Sequence, residues 1–271
     1  MMYQVLPVGT YTDSTMTLMI HEEPGEARPA VVVFPGGGYR FLSAREADPI
    51  ARFYYDNGMN VCLLRYSVGE GAKNHVPAIQ GGLAVKWMRE HAAETNTDPH
   101  RIVTCGFSAG GHAAASTGVY WNHPTVRAGV GVEDGAPEGI NRPDGMILSY
   151  AVLTVGEFTH KGTARHAAGK ETLTEEDIKE YSIEQNVDAT TPPAFLWHTF
   201  TDGAVPVENA IFMMDAMAKV KVPFEAHIFP EGPHGLSLCN ELTWEGKAEA
   251  FNPHAAVWAD LSVKWILDCV K

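Results

Sequence analysis

RIVTCGFSAGGHAAASTG, residues Arg101–Gly118, is the stretch that decides how this chain folds. An apolar, β-branched run leads into Gly106-Phe107-Ser108-Ala109-Gly110, and a helix of small residues follows. The G-x-S-x-G spacing has a mechanical cause. Strand and helix backbones pass close on either side of the serine, so the positions two residues away must be small. The sharp strand-to-helix turn lifts the Ser108 Oγ clear of the sheet and aims the following N–H groups at the same spot. Alone, the spacing marks any tight turn; its surroundings give it meaning.

Outward from that stretch the chain alternates strands and helices. Ala30–Phe34 (AVVVF) is an unbroken apolar run, as a strand covered on both faces requires, and it stops at Pro35-Gly36-Gly37-Gly38-Tyr39. Ser43 and Glu46 have capping-box spacing and predict a helix to about Asn57, closed by Gly58. Asn60–Tyr66 is the next strand, and Pro77 opens a helix to about Thr95. Thr15–Ile20 reads as an early strand, and Asn122–Pro143 as a loose segment before a strand at Met146–Tyr150. Ala194–Phe200 and Phe224–Phe229 are further strands flanking a helix at about Val207–Val220, and a last helix runs from about Pro253 to Val270. This rhythm predicts one α/β domain over 1–271, with a mostly parallel sheet of about eight strands and helices on both faces. The polar segment 153–191 breaks the rhythm, with Thr174 as N-cap before Glu175, Glu176 and Asp177. It reads as a small lid-like insertion over the C-terminal edge of the sheet.

Bulk composition narrows the function. Hydrophobic residues make up 45% and charged residues 20%, enough for one sizeable core. Twenty Lys and Arg against 33 Asp and Glu leave a net charge of −13, which argues against nucleic acid and anionic membranes as partners. A highly anionic substrate would need a local basic pocket, which the sequence does not reveal. No apolar run is long enough to span a membrane, and MMYQVLPVGTYTD lacks the basic and apolar regions of a signal peptide. The four cysteines, Cys62, Cys105, Cys239 and Cys269, are scattered without C-x-x-C spacing, so a reduced, cytoplasmic protein is expected. Neither H-E-x-x-H nor a carboxylate–histidine cluster occurs in the spacing, so no metal is expected. No Lys-Ser/Thr follows the glycines, and G-x-G-x-x-G fails at Phe41; no cofactor is expected either.

In parallel α/β sheets, ligands bind beyond the carboxyl ends of the strands. The polar residues placed there are Gly36–Gly38, Ser108, Asp202 and His234. Ser108 is the candidate nucleophile, and a hydroxyl needs a base within hydrogen-bond reach. His234, in the Glu231–Gly235 loop (EGPHG), has the position for that base. His198 and His227 fall within strands, and His112, one turn past Ser108, points away from it. His160, His166 and His254 lie in polar segments and read as surface. Asp202, in Thr201–Pro206 (TDGAVP), is the candidate orienter of the imidazole. The N–H groups of Gly37, Gly38 and Ala109 are the candidate oxyanion hole, where one lost donor costs on the order of 3 kcal/mol of transition-state stabilisation. Tyr39 and Tyr66 are candidate substrate contacts, with ordinary packed aromatics as the plain alternative. The order Ser108, Asp202, His234 is that of the α/β-hydrolases.

PGGGY after AVVVF, then GFSAGGH, TPPAFLWHTFTDGAVPVEN and GPHG, together resemble α/β-hydrolase esterases over essentially the whole chain from about residue 28. The nearest groups are the small acetyl-xylan-esterase-like and hormone-sensitive-lipase-like carboxylesterases. The resemblance implies Ser108, Asp202 and His234 as the triad, and Gly37, Gly38 and Ala109 as the oxyanion hole. Pro35 stands where the lipase-like motif H-G-G-G has its histidine, which favours the acetyl-esterase-like branch. It implies short acyl esters of sugars or small alcohols as substrates, with self-association left open. The alternatives are a serine peptidase of the prolyl-oligopeptidase type, whose propeller domain has no room here, and a non-catalytic relative, which usually lacks a triad member.

Overall fold

The computed structural model describes residues 1–23 and 25–270. Its strands are β1 (Met2–Val8), β2 (Tyr11–Ile20), β3 (Arg28–Phe34), β4 (Asn60–Arg65), β5 (Thr97–Phe107), β6 (Gly145–Ser149), β7 (Ala194–Thr199) and β8 (Phe224–Phe229). They form one sheet in the order β1-β2-β4-β3-β5-β6-β7-β8. The pairs from β4 through β8 are parallel, while β1–β2 and β2–β4 are antiparallel.

Period-two alternation sorts the central strands into two apolar layers. Val32 of β3 packs beneath α2 (Val76–Glu90) and α4 (Ala109–Val119). Val31 and Val33 face the opposite way, toward α1 (Asp48–Asp56) and α9 (Pro253–Cys269). All three valines are fully buried, each contributing about 1.5–3 kcal/mol of hydrophobic free energy. On the second face Trp197 of β7 stacks on Trp258 of α9 at 4.9 Å. This covering on both sides is why β3 to β7 are legible as short apolar runs.

The remaining helices are α3 (Ala92–Thr95), α5 (Pro124–Val130), α6 (Lys161–Ala168), α7 (Glu175–Tyr181) and α8 (Glu208–Val220). Three expectations are corrected. The first strand is preceded by β1, a mostly exposed edge strand that carries no continuous apolar signal. The segment 122–143 is not wholly loose, because Pro124 starts α5 and Gly131, in the left-handed region, ends it. Ser43 and Glu46 do not form a capping box: Ala44–Glu46 is a single 3₁₀ turn, Ser43 caps nothing, and Glu46 turns inward. Thr174 does cap α7, its hydroxyl accepting from the Asp177 N–H while the Asp177 carboxylate accepts from the Thr174 N–H. Cys62, Cys105 and Cys239 are buried thiols, and Cys269 is exposed. No helix among the described residues is long and apolar enough to cross a membrane.

Candidate active site

The elbow between β5 and α4 works because two glycines let backbones touch. A Cβ on Gly106 would lie 2.2 Å from the Gly110 carbonyl oxygen, and one on Gly110 would lie 2.2 Å from that of Phe34. Between them Ser108 adopts φ 55° and ψ −120°, a strained conformation for a residue with a side chain. The strain is held by the sheet: the Ser108 N–H donates to the Ser149 carbonyl, and the Ser108 carbonyl accepts from the Gly111, His112 and Val152 N–H groups.

The structure brings Ser108, His234 and Asp202 into one hydrogen-bonded line. His234 Nε2 lies 2.8 Å from Ser108 Oγ, and His234 Nδ1 lies 2.7 Å from Asp202 Oδ2. Asp202 is the acceptor on that side, so Nδ1 carries the proton and Nε2 is free to accept from the serine. The other carboxylate oxygen, Oδ1, accepts from the N–H groups of Ala204 and Val205, both at 2.9 Å. Burial opposes ionisation of Asp202, but hydrogen bonds from His198 and His234 outweigh it and hold the carboxyl well below its ordinary range. His198 therefore shares the carboxylate, as well as donating to the Val205 carbonyl at 2.9 Å.

The His234 loop is fixed from behind. Arg45 donates to the carbonyls of Gly235 (2.7 Å) and Thr243 (3.0 Å). The Tyr150 ring meets the His234 imidazole edge-on at 5.1 Å. Tyr150 Oη donates to Glu46 Oε1 at 2.6 Å and accepts from the Ser237 N–H at 2.9 Å. Glu46 Oε2 accepts from the Gly36 N–H at 2.9 Å. One buried carboxylate thus ties the glycine loop to the wall behind the imidazole, and this is the role that displaced the capping box.

Gly37 and Gly38 have φ of 129° and 65°, values that favour glycine. Among the described residues no hydrogen bond engages the N–H groups of Gly37, Gly38 or Ala109. Gly37, Gly38 and Ser108 border a common cavity of about 510 Å³, a size suited to a small molecule. Tyr39 and Tyr66 do not border it. Both are buried beneath the glycine loop, Tyr66 donating to the Pro35 carbonyl and Tyr39 to His112 Nδ1 at 2.8 Å. They brace the loop from the core side, so their expected place on the pocket wall is corrected.

Other wall residues escaped the sequence. Arg40, Arg45, His160 and His166 border the cavity beside Glu46, which puts two arginines at the pocket of an acidic protein. His160 was expected at the surface. Instead the chain folds its ring back to the glycine loop, with Cε1 3.3 Å from where a Gly38 Cβ would sit. Its Nδ1 caps α6 by accepting from the Thr163 N–H at 3.2 Å. That bond fixes the neutral tautomer with the proton on Nε2, and burial lowers the imidazole pKa further, as does the neighbouring His234. Histidine is not a usual N-cap, so composition offered no signal for this placement.

An open α/β sheet with a serine on a strained strand-to-helix elbow beside a hydrogen-bonded imidazole places the chain among the α/β-hydrolase-fold proteins. Solved structures agree. A carboxylesterase from Lactobacillus plantarum superposes with a TM-score of 0.85 at 27% identity, covering 99% of this chain and 98% of that one. An acetyl ester-xyloside bifunctional hydrolase from Caldicellulosiruptor lactoaceticus gives a TM-score of 0.82 at 29% identity, covering 97% and 95%. Within that class the chain belongs to the BD-FAE family, whose model matches residues 16–217. It is 35% identical over 225 residues to an endo-1,4-beta-xylanase B from Butyrivibrio fibrisolvens, covering 81% of this chain and 34% of that protein. It is 28% identical over 214 residues to an acetylxylan esterase from Xylanibacter ruminicola, covering 77% and 41%. The chain therefore spans well under half the length of these two curated relatives.

Proposed function

We propose that the protein is a serine esterase that removes short acyl groups, acetyl foremost, from sugars or other small polyols. The observation that carries this reading is the continuous Ser108–His234–Asp202 hydrogen-bond line beside three unengaged N–H groups. In this mechanism His234 Nε2 takes the Ser108 proton as Oγ attacks the ester carbonyl, and Asp202 steadies the imidazolium. The negative charge on the carbonyl oxygen falls to the N–H groups of Gly37, Gly38 and Ala109. His234 then returns the proton to the departing alcohol. Water, activated by the same imidazole, releases the acid from Ser108.

The polar wall supports a hydroxyl-rich alcohol over a long acyl chain. Arg40, His160 and His166 offer donors along it, and the fixed Nε2–H of His160 can bind a hydroxyl next to the ester. The names of the relatives from Xylanibacter ruminicola and Caldicellulosiruptor lactoaceticus support acetylated xylose units as the substrate class. The segment 153–191 supplies His160 and His166 and so forms one side of the pocket as an insertion in a single domain. The test compares 4-nitrophenyl acetate, acetylated xylo-oligosaccharides and dipeptide amides with the native protein and Ser108→Ala. Turnover of the esters, lost in a folded Ser108→Ala variant, is expected. Undiminished turnover in the variant, or a preference for the amides, would overturn the reading.

A further inference from the structure

Three ligating side chains from separate elements converge away from the active site. His75 stands at the start of α2, His123 at the start of α5, and Glu180 on α7 of the 153–191 segment. His75 Nε2 lies 2.7 Å from Glu180 Oε1, and His123 Nε2 lies 3.6 Å from the same oxygen. One ligand atom from each residue lies within 4.8 Å of the other two. Residue spacing does not announce this cluster, because its members are dispersed along the chain and meet only through the fold.

The groups are held in place. The His75 ring stacks on Tyr181 at 5.1 Å, meets the Tyr120 ring edge at 4.9 Å and lies 5.0 Å from the His123 ring. Tyr120 Oη donates to the Glu180 carbonyl at 2.6 Å, fixing the backbone that carries the carboxylate. The His75 side chain is 5% exposed, His123 31% and Glu180 43%. The cluster is thus a cup, closed at His75 and open to water at its rim. One proton on His75 Nε2 accounts for the 2.7 Å contact. It does not account for His123, whose Nε2 points at an oxygen already engaged, from beyond hydrogen-bond distance.

We propose that His75, His123 and Glu180 bind a zinc-type divalent ion, with water completing a tetrahedral shell. Two imidazoles and one carboxylate suit zinc, whereas magnesium and calcium prefer oxygen donors throughout. Bonds of about 2.0–2.2 Å would satisfy all three side chains at once. The ion is a staple: it joins α7 of the 153–191 segment to α2 and α5 of the framework. It takes no part in ester hydrolysis.

The experiment uses the full chain, stripped of metal with EDTA and dialysed. Calorimetric titration with zinc chloride is expected to show one saturable site per chain, and zinc is expected to raise the thermal midpoint. Cobalt(II) in its place is expected to give the visible absorption of a tetrahedral ion. His123→Ala and Glu180→Gln, both at the partly exposed rim, are expected to weaken binding on the order of tenfold or more and to remove the thermal response. Circular dichroism checks that both variants fold. Equal zinc binding by the native protein and both variants, or no saturable binding, overturns the site. No ester is used, so that outcome leaves the serine-esterase reading standing.

Discussion

His112 makes the stability of this protein depend on pH in a calculable way. Its Nε2 lies 3.0 Å from the Tyr181 carbonyl, which can only accept, so Nε2 carries the proton and Nδ1 accepts from Tyr39 Oη. The ring is 3% exposed. Burial pushes its pKa down from 6.5 to about 4, against the upward pull of the Tyr181 carbonyl bond. The unfolded chain therefore binds a proton near pH 6.5, while the native imidazole resists until pH about 4. Stability is full above the first value, falls as the pH drops through the window, and levels off below the second. Each pH unit costs about 1.4 kcal/mol, so this one group removes about 3 kcal/mol. Urea unfolding in EDTA, from about pH 7 down to about pH 4, measures it against His112→Gln, which is neutral throughout. The variant is expected to start less stable and to lose less on acidification. The gap between the two proteins should narrow by about 3 kcal/mol. A gap that stays constant across the window would refute the buried neutral imidazole.

Three further outcomes are expected. Gly110→Ala places a Cβ 2.2 Å and 2.4 Å from two backbone carbonyl oxygens, so it should cost more than about 3 kcal/mol; a thermal midpoint near that of the native protein would contradict the elbow packing. Glu46→Gln keeps the shape but offers one acceptor oxygen where Gly36 N–H and Tyr150 Oη need two. It should lower kcat about tenfold with KM little changed, and a rise in KM alone would point to a role in binding instead. His160→Ala should lower kcat/KM about tenfold for acetylated xylo-oligosaccharides and by less than about twofold for 4-nitrophenyl acetate. Equal losses on the two substrates would argue against a hydrogen bond from Nε2 to the sugar.

The inner sheet was legible because strands buried on both faces must be apolar throughout, as in AVVVF. Ser108, Asp202 and His234 were legible because strand ends in a parallel sheet converge, whatever their separation in sequence. What misled was chemistry that serves two purposes. Ser43 and Glu46 have the spacing of a capping box, yet the Gly36 N–H and Tyr150 hydroxyl claimed the carboxylate. Tyr39 follows the oxyanion glycines, but its left-handed backbone turns the ring inward to His112. His160 and the His75–His123–Glu180 cluster depend on how 153–191 folds back, and a polar segment with short helices carries little periodicity to announce that.

Every one of the eleven residues of α4 is buried, and small side chains pack it against β5, β3 and β6. Amide hydrogens along α4 are therefore expected to exchange with solvent only when the sheet itself comes apart. The strained Ser108 backbone is thereby tied to the slowest-opening part of the molecule, and the nucleophile is expected to keep its posture until the fold as a whole yields.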